Sequence, residues 1–490
     1  MKESPKLGAV LAVLKLFGSL ILAGVLLITS TYVVRFCMGL FMVGDQFILS
    51  GDGVYTPVAT EPEGDGDTQM PTESQTVREV GRATVLSTGD LMMHLPIVRS
   101  GLKDGNYDFS YIYSYLKDYV NKADYAVVNL ETTLSGTDRK EYTGYPKFNS
   151  PDAVASGAVS GGFDLLLTAN NHCYDYGTAG MLRTLEVVKA AGADTLGTHA
   201  KAGEQTYLIR DLNGIKVGML NYTYGDIGED PDRPFINGLK TDSAAAGLTN
   251  VFAYSKLELF YTEVENQISA MRAAGAEVIM LYIHWGEEYT TNVNRYQKQI
   301  AQKMCDLGVD VIAGSHPHVV QTMELLTSGV NPSHQTVVLY SMGNFLSNQR
   351  ADNISLSTGQ SEDSVLFSCT FVKFSNGKVV LEDIEILPTW VLIRGSGNGR
   401  SYHILPLDKE VEDWAKVYDL TGTQSVDAHQ SYSRTMDTLG TAYKDIRDKL
   451  AQRENLHELP TEAPKPTEEP ESTEATEPVE ETRFADPGVG

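Results

Sequence analysis

Short apolar runs alternate with longer amphipathic stretches through the middle of the chain. The runs at Thr84–Thr88, Ala126–Leu130, Asp164–Thr168, Glu277–Ile283, Val309–Ala313 and Thr336–Tyr340 have the length and composition of strands covered on both faces. Between them, Gly177–Ala191, Lys256–Ala274 and Asn294–Leu307 carry apolar residues at helical spacing. Strands alternating with helices predict an α/β fold. Two turns add antiparallel pairing. Asn213-Gly214 and Asn376-Gly377 each separate two apolar runs, and Asn-Gly is the favoured pair of a two-residue hairpin. Glu410–Arg453 reads mainly as polar helices, and no internal repeat stands out.

The pattern changes at both ends. Leu16–Val34 (LFGSLILAGVLLITSTYVV) carries no charge, and as a helix it would rise about 28 Å, close to the hydrocarbon thickness of a bilayer. Lys2, Lys6 and Lys15 precede it and Arg35 follows, which favours a cytoplasmic N-terminus. No small-x-small cleavage site follows the run, and Arg35-Phe36 is a poor lipoprotein box before Cys37, so an uncleaved anchor is expected over a signal peptide. Residues 51–76 are rich in Gly, Pro, Thr and acids and read as a stalk. A Pro/Glu/Thr-rich tail mirrors it at the other end. The expected layout is a cytoplasmic N-terminus at 1–15, a transmembrane anchor at 16–34, a largely disordered stalk at 35–78, the α/β domain at 79–392, a helical extension at 393–455 and an acidic tail at 456–490. That makes a single-pass protein of the cell membrane, with the bilayer as a partner and the main domain extracytoplasmic.

Charge narrows the partners. The 490 residues hold 39 basic and 64 acidic side chains, a formal −25. This excludes the basic footprint of a nucleic-acid binder. Ten acids against two basic residues between Glu458 and Gly490 place −8 of that charge in the tail. The four cysteines, Cys37, Cys173, Cys305 and Cys369, lie far apart with no C-x-x-C, and free, mostly buried thiols are expected.

Five motifs follow predicted strands. They are Thr88-Gly89-Asp90 with His94 beyond it, Asn129-Leu130-Glu131, Asn170-Asn171-His172 with Asp175, His284-Trp285-Gly286-Glu287-Glu288, and Gly314-Ser315-His316-Pro317-His318. Ligands in open α/β sheets gather at the carboxyl ends of strands. Carboxylates bridge metals and imidazole suits Zn, Mn or Fe, so the set points to two divalent ions of one of these kinds. Bland readings stand beside each. Asp90 could cap a helix, and Asn171 could be a turn residue. Asp175 either orients His172 or caps Gly177–Ala191. Glu287 and Glu288 either support His284 or are solvated charge. Trp285 is a packing residue or a substrate platform, and Asn344 in SMGNF follows a strand and could reach the site. His199, His334, His403, His429 and His457 lie outside any motif and are expected at the surface.

The combination of NLE, ANNHCYDYG, HWGEEY and GSHPHV resembles the CapA family of poly-γ-glutamate capsule synthesis, whose domain is similar to calcineurin-like metallophosphoesterases. The resemblance covers Arg82 to Pro388. It implies a sandwich of two mixed β-sheets flanked by helices, preceded here by the N-terminal transmembrane helix. It implies Asp90, Glu131, Asn171, His284, His316 and His318 as metal ligands, with Glu131 bridging where the superfamily has Asp. His172 would be the catalytic acid and Asp175 its companion. His94 lies four residues past Asp90 where the superfamily pattern has D-x-H, and Asn170 replaces a Gly. The implied partners are poly-γ-glutamate or another anionic polymer, and other capsule-synthesis membrane proteins. Three functions follow: a metal-dependent hydrolase of that system, a non-catalytic polymer-binding or assembly subunit, and a surface metallophosphatase. Asp226–Tyr254 remains either a lid or a surface loop.

Overall fold

A computed structural model describes residues 77–138, 141–226, 233–354 and 356–452. The expected anchor at 16–34, the stalk up to residue 76 and the tail at 456–490 lie outside these residues, as do Cys37 and His457. Among the described residues, no helix is long and apolar enough to cross a membrane.

The chain enters on β1 (Glu79–Leu91) and crosses by short helical turns, Leu95–Ser100, Ser110–Tyr113 and Lys117–Val120, to β2 (Tyr125–Leu130). Helix α1 (Ala153–Ser160), β3 (Leu165–Leu167), α2 (Gly177–Ala191) and β4 (Asp194–Leu196) follow. A hairpin, β5 (Leu208–Leu212) and β6 (Ile215–Tyr224), opens the second half through the Asn213-Gly214 turn. Then come β7 (Val251–Phe252), α3 (Leu257–Ala273), β8 (Val278–His284), α4 (Arg295–Asp306), β9 (Val311–Ser315), β10 (Met323–Thr327) and β11 (Gln335–Leu339). Asn294 caps α4: its side chain accepts from Gln297 N at 2.9 Å, and Gln297 returns the bond to Asn294 N at 3.0 Å. The chain returns through β12 (Asp363–Phe374), β13 (Val379–Arg394) and β14 (Ser401–Pro406) and ends on α5 (Gly422–Ala451).

Two seven-stranded mixed sheets result. The first runs β14-β13-β12-β1-β2-β3-β4, parallel from β1 to β4 and antiparallel from β1 to β14. The second runs β7-β6-β8-β9-β11-β10, with β5 also pairing β6. Side chains alternate across a strand, so each strand serves two cores. Val85, Val127 and Leu165 face Met219, Met280, Tyr282 and Leu339 between the sheets. Leu86, Val128 and Leu166 turn outward onto α1 and α2. Leu220, Ile279, Leu281 and Ile312 turn outward onto α3 and α4. The architecture is helix, sheet, sheet, helix, as the α/β expectation requires.

One boundary moves. The first sheet continues past residue 392, because β13 reaches Arg394 and β14 adds residues 401–406. The helical part of the expected 393–455 extension begins only at Trp414. Nor does α5 stand apart. Its Leu439, Ile446 and Leu450 join the core between the sheets. Arg434 and Arg447 form ion pairs with Asp363 on β12 and Asp383 on β13. Cys173, Cys305 and Cys369 are free and buried. Three histidines expected at the surface are not there. His199 is buried on Asn250 at 2.9 Å, His334 is half-buried on Val309 O, and His403 packs beside Tyr111 and Tyr115.

Candidate metal centre

The carboxyl ends of β1, β2, β3, β8 and β9 converge, and the five motifs meet there. Asp90 owes its position to a bulge. Thr88 pairs with Val128 and Asp90 with Asn129, so Gly89 is the extra residue that re-aims the strand end. A Cβ on Gly89 would lie 1.9 Å from Gly343 O, so only glycine allows the 341–347 loop to seat. That loop locks the strand end: Gly343 O accepts from Asp90 N at 2.9 Å, and Leu346 O accepts from Met92 N at 2.8 Å.

Asp90 Oδ1 accepts from Asn129 Nδ2 at 2.8 Å, and Asp90 Oδ2 pairs with His318 Nδ1 at 3.0 Å. Asn129 Nδ2 also donates to Glu131 Oε2 at 3.2 Å. His284 Nε2 lies 2.9 Å from Asn171 Oδ1, and its Nδ1 lies 2.9 Å from Ser315 Oγ. Two sets of ligating atoms result: Asp90, Glu131 and His284; and His316, His318 and Glu288. Glu131 Oε1 sits between them, 3.7 Å from His284 Nε2 and 3.8 Å from His318 Nε2.

The chemistry fits a divalent cation. Glu131 Oε1 and His316 Nδ1 are buried with no hydrogen-bond partner among the described residues. An orphaned buried polar group is costly unless something else satisfies it. His316 and His318 also hold left-handed backbone, φ +96° and +58°, which costs on the order of 1–3 kcal/mol each and is characteristic of functional sites.

Burial, then the Asp90 carboxylate, holds the Glu131 carboxyl well above the usual range. Burial, then the neighbouring imidazoles, holds His284 and His316 well below theirs, in the neutral form that ligates metal. A bound cation would favour ionised Glu131. Metal loading is therefore expected to release about one proton per chain, with affinity rising as pH rises. Calorimetry in two buffers of different ionisation enthalpy counts that proton, and equal heats in both would contradict the protonated resting state.

Beside the ligands, His172 Nδ1 lies 2.7 Å from Asp175 Oδ2, which also accepts from Phe148 N at 2.7 Å. Asp175 thus orients His172 and does not cap α2, whose N-cap is Tyr176 with no side-chain bond. The Phe148 ring stands edge-on to His172 at 4.7 Å. Behind this turn, Ile236, Ala245 and Leu248 pack on Cys173, Tyr174 and Met181, and Asp242 N donates to Tyr174 OH. The described part of 226–254 is therefore a buttress to the His172 loop.

Several expectations are corrected. Trp285 is fully buried in the core between the second sheet and its helices, with Nε1 on Tyr340 O at 2.8 Å, so it is no substrate platform. Both glutamates are exposed; Glu287 accepts from Asn294 Nδ2 at 3.4 Å, and Glu288 groups with the two histidines. Asn344 donates its Nδ2 to Gln349 Oε1 and Ser361 O, which braces the loop, while its buried Oδ1 has no hydrogen-bond partner among the described residues. His94 is half-buried on a neighbouring wall, outside both ligand sets, and accepts from Asn348 N at 3.3 Å. Burial, then His318, draws it down to about 4.

Asn129 and Asn170 were missed. Asn170 Nδ2 donates to Asn129 Oδ1 at 3.1 Å and to Leu130 O at 2.9 Å, which fixes Asn129 against both carboxylates. Asn170 therefore braces the site. Tyr224 was also missed; its ring lies parallel to His284 and 4.7 Å from His316. The available signal for Asn129 was its i, i+2 spacing to Glu131.

A family described as bacterial capsule synthesis protein PGA_cap matches residues 84–349, more than half of the chain. The chain belongs to this family. Two CapA relatives agree. The capsule biosynthesis protein CapA of Bacillus anthracis is 27% identical over 285 residues, covering 56% of this chain and 61% of that protein. The PGA biosynthesis protein CapA of Bacillus subtilis (strain 168) is 27% identical over 226 residues, covering 46% of this chain and 51% of that protein. The chain thus spans between half and two thirds of the length of these CapA relatives. Every ligand of the candidate centre, and His172 with Asp175, falls inside the stretch that matches the family.

Proposed function

We propose that this CapA-family chain is a membrane-anchored hydrolase of capsule-polymer synthesis or export that acts on poly-γ-glutamate. The observation that carries the hydrolytic reading is Glu131 Oε1, buried, unpartnered and set between two groups of ligating atoms. The relatives' names, capsule and PGA biosynthesis, support the polymer. The apolar run at 16–34 supports the anchor, with the described domain extracytoplasmic and other capsule-synthesis membrane proteins as partners.

Asp90, Glu131, Asn171 and His284 would hold one ion, and His316, His318 and Glu288 the other, with Glu131 reaching both. Mn, Fe or Zn bound there would polarise the acyl or phosphoryl oxygen under attack and lower the pKa of water. The chain's own residues handle orientation and protons. Asp175 fixes the His172 ring through Nδ1, which leaves Nε2 as the atom that exchanges protons with substrate. In the balanced step, water oxygen bonds to the acyl carbon or phosphorus and the bond to the leaving nitrogen or oxygen breaks. His172 Nε2 gives that atom a proton, and the proton lost by water restores the imidazolium.

The test is turnover by the purified full chain supplied with Mn, Fe or Zn, on poly-γ-glutamate and on a phosphate ester. New amine ends or free phosphate are expected, with His172→Ala slower by roughly 10²–10⁴-fold. A metal-loaded chain that grips polymer yet releases no product from either would instead be a non-catalytic assembly subunit.

A further inference from the structure

Next to the candidate centre the surface falls into a cleft of about 490 Å³ whose wall includes His94, Tyr145, Tyr289, Asn348 and Asn353. Among the described residues, no acidic side chain, lysine or arginine lines it. Tyr145 is 73% exposed, and the Tyr289 ring lies 5.9 Å from that of His318. Tyr402 OH donates to Asn348 Oδ1 at 2.6 Å, which fixes the amide and leaves Nδ2 as its donor end. Asn348 and Asn353 also line a second cavity of about 580 Å³, whose wall includes Arg350, Arg400 and Arg434. The two cavities thus adjoin at Asn348 and Asn353, as two halves of a trough whose second half reaches α5 at Asp427, Gln430 and Arg434.

The halves differ in chemistry. Away from the ions themselves, a carboxylate in the first half would meet no lysine or arginine among the described residues, and burying it there would be costly. A planar amide with its methylenes suits it better, lying against the tyrosine rings and accepting from Asn348. In the second half, Arg350 is tied to Glu362 at 2.6 Å and Arg434 to Asp363 at 2.8 Å. Arg400 is exposed, lies beside the Tyr402 hydroxyl and has no ion pair among the described residues, so its guanidinium can meet a ligand anion, although Asp352, Glu362 and Asp427 share the wall.

We propose that the trough holds an extended acidic polyamide, with its uncharged backbone against Tyr145, Tyr289 and Asn348 beside the candidate centre and its carboxylates at the arginine end. This deepens, and rests on, the polymer reading above. Two cavities in series match a chain, whereas a compact monoanion would need only one.

Affinity of the full chain for fluorescently labelled poly-γ-glutamate and for a labelled γ-glutamyl dimer tests it. Tyr145→Ala and Arg400→Gln are each expected to weaken polymer binding roughly tenfold while metal content stays as in wild type. Arg400→Gln should leave the dimer, too short to reach it, unaffected. Wild-type polymer affinity in both variants, equal wild-type affinity for dimer and polymer, or no polymer binding by wild type would overturn the proposal. Failure of the hydrolase reading looks different: polymer bound in the trough, sensitive to both variants, and no product.

Discussion

Replacing Asp90 and His316 together with alanine is expected to abolish divalent metal binding while leaving the fold in place. The two residues belong to different ligand sets, so neither set survives intact. Losing a residue that merely supports a ligand costs about 10–100-fold in metal affinity, and losing two direct ligands should cost far more. Without metal the variant should be less stable than wild type, because removing Asp90 takes the acceptor from Asn129 Nδ2, His318 Nδ1 and His316 N, all buried. With metal the two should separate further. At a hundred times its dissociation constant, a ligand stabilises the folded state by about 2.7 kcal/mol, and only wild type should gain that. Metal analysis and thermal melts with and without Mn, Fe or Zn decide the matter. A variant that keeps the wild-type metal content would remove these residues from the centre.

The largest loss of stability is expected from Arg434→Ala. Asp363 is buried, and Arg434 holds both its carboxylate oxygens, at 2.9 and 2.8 Å. Breaking a buried pair from one side typically costs 3–5 kcal/mol, because the other charge stays buried. Burial nonetheless lifts Asp363 to about 6, above its ordinary 3.8. The folded state therefore binds more protons than the unfolded state between those values, and stability from this group falls as pH rises through that window. Without the guanidinium the carboxyl shifts further up, so the variant should lose more at pH 7.5 than at pH 5. Adding Asp363→Asn should recover part of the loss. Urea unfolding at both pH values measures this, and equal losses would mean that Asp363 is not buried as an ion. Backbone neighbours carry the damage towards the centre, since Asp363 O accepts from Asn344 N in the loop that seats on Asp90.

The sequence was most legible where a short apolar strand ended in a polar residue. Asp90, Glu131, His172, His284 and His316 all follow such runs, so their convergence was predictable from strand ends alone. Helix α2 was predicted residue for residue, because Gly opens it and Gly192 follows it in left-handed backbone. What stayed hidden depended on tertiary partners. Asn129 reads as a polar residue at the end of a strand and Asn170 as an ordinary turn amide until their mutual hydrogen bond is seen. Glu287 and Glu288 are adjacent, alike and both exposed, and only the tertiary structure shows that Glu288 has a carboxylate oxygen within ligating reach of His316 and His318. Strand β14 was read as part of a helical extension because the polar break Gly395–Arg400 separates it from β13. Leu439, Ile446 and Leu450 lie too sparsely in polar α5 to announce a core face.

The ligands are divided between the two sheets. Asp90, Glu131 and Asn171 come from the first, and His284, His316 and His318 from the second, on opposite sides of the β5–β6 hairpin in sequence. Glu288, His316 and His318 all come from the second half, whereas the set of Asp90, Glu131, Asn171 and His284 is complete only when both halves are present. An emerging polypeptide therefore cannot assemble the centre until its later strands have joined the earlier ones, which makes ion capture a late event in maturation and ties the two layers together once it has happened.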